Sequence, residues 1–292
     1  MSSSTATIAS AALSATIASL GAELQTLQTK DGRDLLWDGD PAFWTGRAPI
    51  LFPVIGMLNG GFYRYDGVTF AMPKHGFARR KTFAKTAQSD ASVTFQLGAD
   101  AETLAIYPFD FTLDVKFALA GTSLTVTAIL ANHGAAPMPA SIGFHPALRW
   151  PLPFGQPRAA HRLVFDADEP APVRRIDAEG LLKPDRVASP VIRARLALRD
   201  DLFIEDALIF DALRSRGVQY GADEGPQLKV EFASFPTLGV WSKPGAGFVC
   251  IEPWQGSSDP EGFIGDIRDK PGIVMVEPGS AREQAMSITL NG

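Results

Sequence analysis

Sulfur chemistry is nearly absent from this chain. A single cysteine, Cys250, excludes an intramolecular disulfide and provides no metal-ligand spacing, which fits a reducing compartment and makes the cytoplasm the expected location. Charge is also sparse. Charged residues make up 20% of the 292 positions and the formal net charge is −5, with no basic stripe of the kind that neutralises phosphates, so a nucleic-acid partner is not expected. No lysine or arginine precedes the apolar residues of the first 18 positions, so a secretory signal is not expected, and serines and threonines interrupt residues 1–22 too often for a membrane span. The first few residues are expected to fray. The sequence also lacks a phosphate-binding glycine loop, a His/Cys cluster and a G-x-S-x-G elbow, so neither a nucleotide, a metal nor another cofactor is expected.

What the chain has is apolar residues in short, alternating runs. Hydrophobic residues make up 46%, enough to bury a sizeable core, and 27 glycines and 22 prolines punctuate them. Over residues 109–119 every odd position is apolar; Ala120-Gly-Thr122 then turns the chain into the alternating Leu124-Thr-Val-Thr-Ala128, which predicts a β-hairpin. Asp31-Gly32, Asp66-Gly67 and Pro244-Gly245 mark further turns, flanked by candidate strands such as residues 24–27 and 35–37, and residues 228–232 alternate too. Helical periodicity is confined to a turn or two at residues 41–44 and at Ala101–Ile106. The pattern predicts an all-β fold, a large antiparallel β-sandwich, in one domain spanning 7–292, with residues 151–190 as an ordered excursion.

Against this background a few polar residues stand out. Phe248-Val-Cys-Ile-Glu252-Pro-Trp254 places a carboxylate at the end of an apolar strand, where burial favours the protonated form and suits a group that exchanges protons near neutral pH; a structural ion pair is the equal alternative. Alternation puts Phe248, Cys250 and Glu252 on one face and Val249 and Ile251 on the other, and Cys250 reads as a small buried hydrophobe. His145, in Gly143-Phe-His-Pro146, has an imidazole able to donate or accept a proton, and Pro146 biases it towards an extended backbone; a satisfied core histidine is the plainer reading. His75 precedes three consecutive cations, Arg79, Arg80 and Lys81, which form either an anion-attracting group or an ordinary solvated face. Asp206 stands immediately before a strand-like run and reads equally as a turn residue. Trp44, Trp241 and Trp254 are candidates for stacking on sugar rings, or for packing in the core.

In this order, Trp37-Asp-Gly-Asp-Pro41, Ala48-Pro-Ile-Leu-Phe-Pro-Val-Ile-Gly56, His75-Gly-Phe-Ala-Arg79, Gly143-Phe-His-Pro146, Asp206-Ala-Leu-Ile-Phe210 and Cys250-Ile-Glu-Pro-Trp254 resemble the aldose 1-epimerase (galactose mutarotase) superfamily, its LacX-like branch above all. The resemblance spans nearly the whole chain. It implies a galactose-mutarotase-type sandwich and a small-molecule sugar substrate; a monomer and a homodimer are both open. By the same resemblance Glu252 takes the proton of the anomeric hydroxyl, His145 protonates the ring oxygen, and His75 and Asp206 bind the sugar. The apolar Pro49-Ile-Leu-Phe-Pro53 replaces the Asn-Arg-Ile stretch of the galactose enzymes. Arg47 is displaced from the arginine of the hexose-6-phosphate branch, leaving Arg79 to meet an anionic substituent or to brace its loop. A hexose-6-phosphate 1-epimerase, a non-catalytic sugar sensor and a glycoside-cleaving enzyme using Glu252 and Asp206 are the competing functions.

Overall fold

The computed structural model describes residues 4–292; the expectation of fraying at the very start falls partly on residues 1–3, outside the described region. About 47% of the chain is strand and 8% helix. Nine strands form one sheet, in the order Arg195–Ala197, Arg162–Phe165, Gly217–Gly221, Gln227–Glu231, Ala281–Asn291, Ser123–Asn132, Phe111–Ala120, Ser92–Gly98 and Ala84–Gln88. Eight form the second, ordered Leu182–Val187, Val173–Ile176, Leu208–Phe210, Thr237–Trp241, Phe248–Gln255, Ile142–Phe144 and Ile50–Leu51, with Ala147–Arg149 also paired to Phe248–Gln255. All of these strand pairings are antiparallel. The main hydrophobic cluster lies between the two sheets. It joins Leu113, Val115, Leu124 and Val126 of the nine-stranded sheet to Phe144, Leu238, Val249 and Ile251 of the eight-stranded one.

The predicted hairpin is the centre of the larger sheet, Phe111–Ala120 pairing with Ser123–Asn132 through Gly121 at φ 57°. Asp66 and Gly67, both at positive φ, close a hairpin between Phe62–Tyr65 and Val68–Ala71, as their turn chemistry requires. Ala101–Ile106 is a helix, capped by the Asp100 carboxylate on the Thr103 N–H. Two expectations need adjustment. Residues 41–43 form a turn instead of helix, because the Asp40 side chain takes the Ala42 N–H while its carbonyl takes those of Phe43 and Trp44. Residues 35–37 form one isolated bridge, Leu36 to Leu148, instead of a strand: the Leu35 N–H bonds the Leu27 carbonyl, but the Trp37 N–H bonds that of Ala147, so this stretch crosses from the Thr5–Ala9, Leu13–Ala18, Glu23–Thr29 sheet to the eight-stranded sheet.

Only one face of the eight-stranded sheet meets the main core. On the other face lie two smaller apolar clusters: Trp37, Ala147, Ala246, Phe248 and Cys250 in one, Leu51, Ile55, Ile176, Leu182, Ala207, Ile209 and Trp254 in the other. Trp241 packs against both. Between them opens a cleft.

Candidate active site

The cleft floor comes from one irregularity in strand pairing. Gly143 pairs with Trp254 and Ala147 with Cys250, so the register places His145 opposite Glu252, and Pro146, without an N–H, separates the two pairing segments. Within Phe248–Gln255 alternation sends Val249 and Ile251 into the main core and Phe248, Cys250 and Glu252 to the cleft side, as the sequence predicts. Gly143 and Gly239 flank Trp254: a Cβ on either would come within 2.7 Å of its indole, so the neighbouring strands make room for that ring.

His145 and Glu252 are 7% and 1% exposed, and the His145 Nε2 lies 3.0 Å from Glu252 Oε2. The approach is close but not aligned as a hydrogen bond. Among the described residues five buried side-chain polar atoms lack a hydrogen-bond partner, and three belong to cleft residues: His145 Nδ1, Glu252 Oε2 and Trp254 Nε1. Such atoms are costly to bury, and their concentration here marks a site built for something other than stability. Burial, with the Asp206 charge adding to it, raises the Glu252 carboxyl well above its ordinary range, against the pull of Lys74 and the nearby Trp254 indole N–H. Burial lowers His145 to about 3, and the Arg79 and Lys74 charges push the same way. Burial thus drives both members of the pair towards their neutral forms.

His75 adjoins this pair, its ring 5.9 Å from that of His145. The Gly56 N–H donates to His75 Nδ1 at 3.0 Å, and the Gly56 carbonyl accepts from the His75 backbone N–H. Burial first, then the charges of His145, Lys74 and Arg79, hold His75 well below the ordinary imidazole range, so it is neutral with its proton on Nε2, a donor available to a ligand. The following Gly76, at φ 72°, is required: a Cβ there would stand 2.1 Å from the Phe52 carbonyl oxygen.

Trp44, Trp241 and Trp254 all line the cleft, and Trp44 lies over His145 with ring centres 4.9 Å apart and planes 30° from parallel. Asp40 holds the turn that presents Trp44, and the Trp37 indole N–H caps the Trp44 carbonyl at 2.8 Å. Asp206, at φ 61°, is exposed at the rim, one carboxylate oxygen on the Ala207 N–H. Arg79 enters the cleft; Arg47 does not, its guanidinium being bonded to the Gln25 carbonyl. The three consecutive cations do not act together, because Lys81 is paired with Asp100 and Glu102 and Arg80 is exposed. Sequence reasoning passed over Lys74, which lines the cleft beside His75; its signal was its place next to a functional histidine.

The His145, Cys250 and Glu252 ligand atoms lie within 4.8 Å of one another, close enough to hold a cation. Burial and the Glu252 charge raise the Cys250 thiol well above its ordinary value, however, which opposes the thiolate such a site would use. The chemistry most directly available is proton transfer between an acid and a base in an aromatic-lined cavity of about 200 Å³.

Residues 4–272 match the family model described as aldose 1-epimerase. The chain belongs to the aldose 1-epimerase family. It is 34% identical over 283 residues, 93% of this chain and 94% of the relative, to the plasmid-borne protein LacX of Lactococcus lactis subsp. lactis. Among solved structures it superposes with TM-score 0.92 on a galactose mutarotase related enzyme from Lactobacillus acidophilus, at 29% identity and covering 99% and 98% of the two chains. A galactose mutarotase-like protein from Lactobacillus casei gives 0.91 at 31% identity, covering 99% and 100%. These likenesses bear out the sandwich and support a mutarotase-type function. Among the described residues no helix is long and apolar enough to cross a membrane.

Proposed function

We propose that the protein is a mutarotase that interconverts the α and β anomers of an aldose, with Glu252 and His145 as its proton-transfer pair. The observation that carries this reading is the 3.0 Å approach of two buried, incompletely partnered groups on the cleft floor. A hemiacetal opens when the anomeric hydroxyl loses a proton and the ring oxygen gains one. Both oxygens are bonded to the same carbon, so the acceptor and the donor must be neighbours, as these two are.

The single proton of the pair has two placements. With imidazolium beside carboxylate, Glu252 takes the proton of the anomeric hydroxyl, the bond from C1 to the ring oxygen breaks with its electron pair moving to that oxygen, and His145 protonates it. Opening leaves glutamic acid and neutral imidazole, the uncharged state that burial favours. Rotation about C1–C2 and the reverse transfers close the ring to either anomer, and each group returns to its starting form without a covalent intermediate. The His75 Nε2–H and the Asp206 carboxylate supply polar contacts to the hydroxyls, and the Trp44 and Trp241 rings cover apolar ring faces. The test is anomer exchange, followed by polarimetry or NMR on a freshly dissolved single anomer. The protein should accelerate equilibration and Glu252→Gln should remove the acceleration; sugar binding with exchange at the spontaneous rate across neutral and charged aldoses would refute the reading in favour of a sensor.

A further inference from the structure

Of the unpartnered polar atoms on the cleft floor, the Trp254 indole Nε1 has no part in the proton transfers above. Its residue is only 5% exposed, and its N–H donates to nothing among the described residues. Burying an N–H without an acceptor is costly, yet the sheet is built to hold this one in place. Trp254 follows Glu252 by two positions on Phe248–Gln255, so both side chains rise from the same face. Glycines on both neighbouring strands bracket the ring. A Cβ on Gly143 would stand 2.7 Å from Cδ1 and one on Gly239 would stand 3.2 Å from Cε2, the two ring carbons bonded to Nε1. Gly143 is the register partner of Trp254 and Gly239 that of Glu252, so the indole slants along the sheet towards the carboxylate. Glu252 Oε2 is itself buried without a partner. An orphaned donor and an orphaned acceptor thus lie side by side, the N–H near enough to favour the ionised carboxyl but not aligned as a hydrogen bond in the resting site.

We infer that Trp254 is a positioning residue whose indole N–H steadies the Glu252 carboxylate in the arrangement that opens the sugar ring. This rests on the epimerase reading above. That arrangement needs imidazolium beside carboxylate, which burial opposes, and a donor fixed beside the carboxylate offsets part of the opposition. Part of the help persists in the transition state, where the anomeric proton is only partly transferred and the carboxylate keeps some of its charge. When the proton has arrived the hydrogen bond weakens, and when Glu252 gives it back the bond re-forms, so the same donor serves opening and closing. The tryptophan acts through Glu252 and exchanges no proton itself.

The experiment follows anomer exchange against pH in wild type and Trp254→Phe, which keeps an aromatic ring between the glycines and removes the N–H, on an aldose that the wild type exchanges. In the variant kcat should fall ~10–100-fold, the worth of a hydrogen bond to a charged group, with KM within ~2-fold of wild type. Without its donor the ionised carboxyl is less stable and the pair keeps its proton longer, so the alkaline limb of kcat/KM should move up by about one pH unit. His145, Asp206, Lys74 and Cys250, the other groups that face this carboxyl, are the same in both proteins, so the displacement belongs to the indole N–H. A second measurement covers the case in which phenylalanine disturbs the packing. With the tryptophans labelled at the indole nitrogen, the Nε1–H resonance that Trp254→Phe deletes should shift between about pH 5 and 9 in the wild type and hold still in Glu252→Gln. Unchanged kcat and pH limb in Trp254→Phe, a rise in KM alone, or a resonance that ignores pH or follows it equally in Glu252→Gln overturns the inference and leaves the epimerase reading standing. Failure of the wild type to exchange any of a panel of neutral and charged aldoses overturns that reading, and the inference with it.

Discussion

Lys270 and Asp259 are buried as deeply as His145 and Glu252, yet the two pairs are built differently. Lys270 Nζ donates to Asp259 Oδ1 at 2.5 Å, the other carboxylate oxygen accepts the Asn59 N–H at 2.9 Å, and the Asp259 backbone is bonded to Met57 and Leu182. Both partners of that pair are satisfied, and it ties the segment around Asn59 to the 3-10 turn Ile267–Asp269. In the cleft, His145 Nε2 and Glu252 Oε2 are 3.0 Å apart without alignment, and His145 Nδ1 has no partner. Burial pulls the Lys270 ammonium down but Asp259 holds it up, whereas in the cleft burial drives both groups towards neutrality. The difference separates a pair that holds the fold from one left free to exchange its proton.

The sharpest way to break this contrast is to make each pair inert in turn. Glu252→Gln keeps the shape and removes the proton acceptor, so kcat for anomer exchange should fall by about 10²–10⁴-fold, the usual worth of a positioned general base, with the fold intact by circular dichroism. Retention of wild-type kcat would remove Glu252 from the chemistry. Asp259→Ala should do the opposite kind of damage: it strands a buried ammonium, so denaturant unfolding should show a loss of about 3–5 kcal/mol. A loss under 1 kcal/mol would mean that Lys270 finds another partner and that the pair is not the structural tie described here.

The two pairs also differ in how much of them can be read from sequence. Alternation alone separates Val249 and Ile251 from Phe248, Cys250 and Glu252, because the side-chain period of a strand is two. Bringing His145 to Glu252 takes a register set by distant strands, and local pattern says nothing of it; the family resemblance supplied the link. Local pattern also treats Arg79, Arg80 and Lys81 alike, although the short turn Ala78–Arg80 points them to three different environments. Residues 35–37 look like a strand but alternate between two sheets, since their apolar residues answer to both. Lys74 is an ordinary surface lysine until His75 and Gly76 turn the chain beside it into the cleft. The Lys270 and Asp259 pair gave no signal at all, because nothing in a lysine or an aspartate announces a partner eleven residues away.

A smaller effect completes the comparison by reading stability instead of rate. Because the folded state raises the Glu252 carboxyl above its ordinary 4.5, the unfolded chain releases that proton first as pH rises, and the wild type loses this part of its stability on the alkaline side. Glutamine has no proton to release. Glu252→Gln should therefore match the wild type at pH near 4 and exceed it at pH 7, by about 0.5–2 kcal/mol, the range typical when a functional site is relieved of its destabilising group. His145 contributes in the other direction: its folded value of about 3 lies below that of the unfolded chain, so the wild type loses stability as pH falls from the ordinary imidazole range towards 3. Urea unfolding of wild type, Glu252→Gln and His145→Gln across pH 4 to 8 separates the two, since one difference grows with rising pH and the other with falling pH. A Glu252→Gln curve parallel to the wild type at every pH would show that the carboxyl is not held protonated, and the cleft pair would then resemble Lys270 and Asp259 after all.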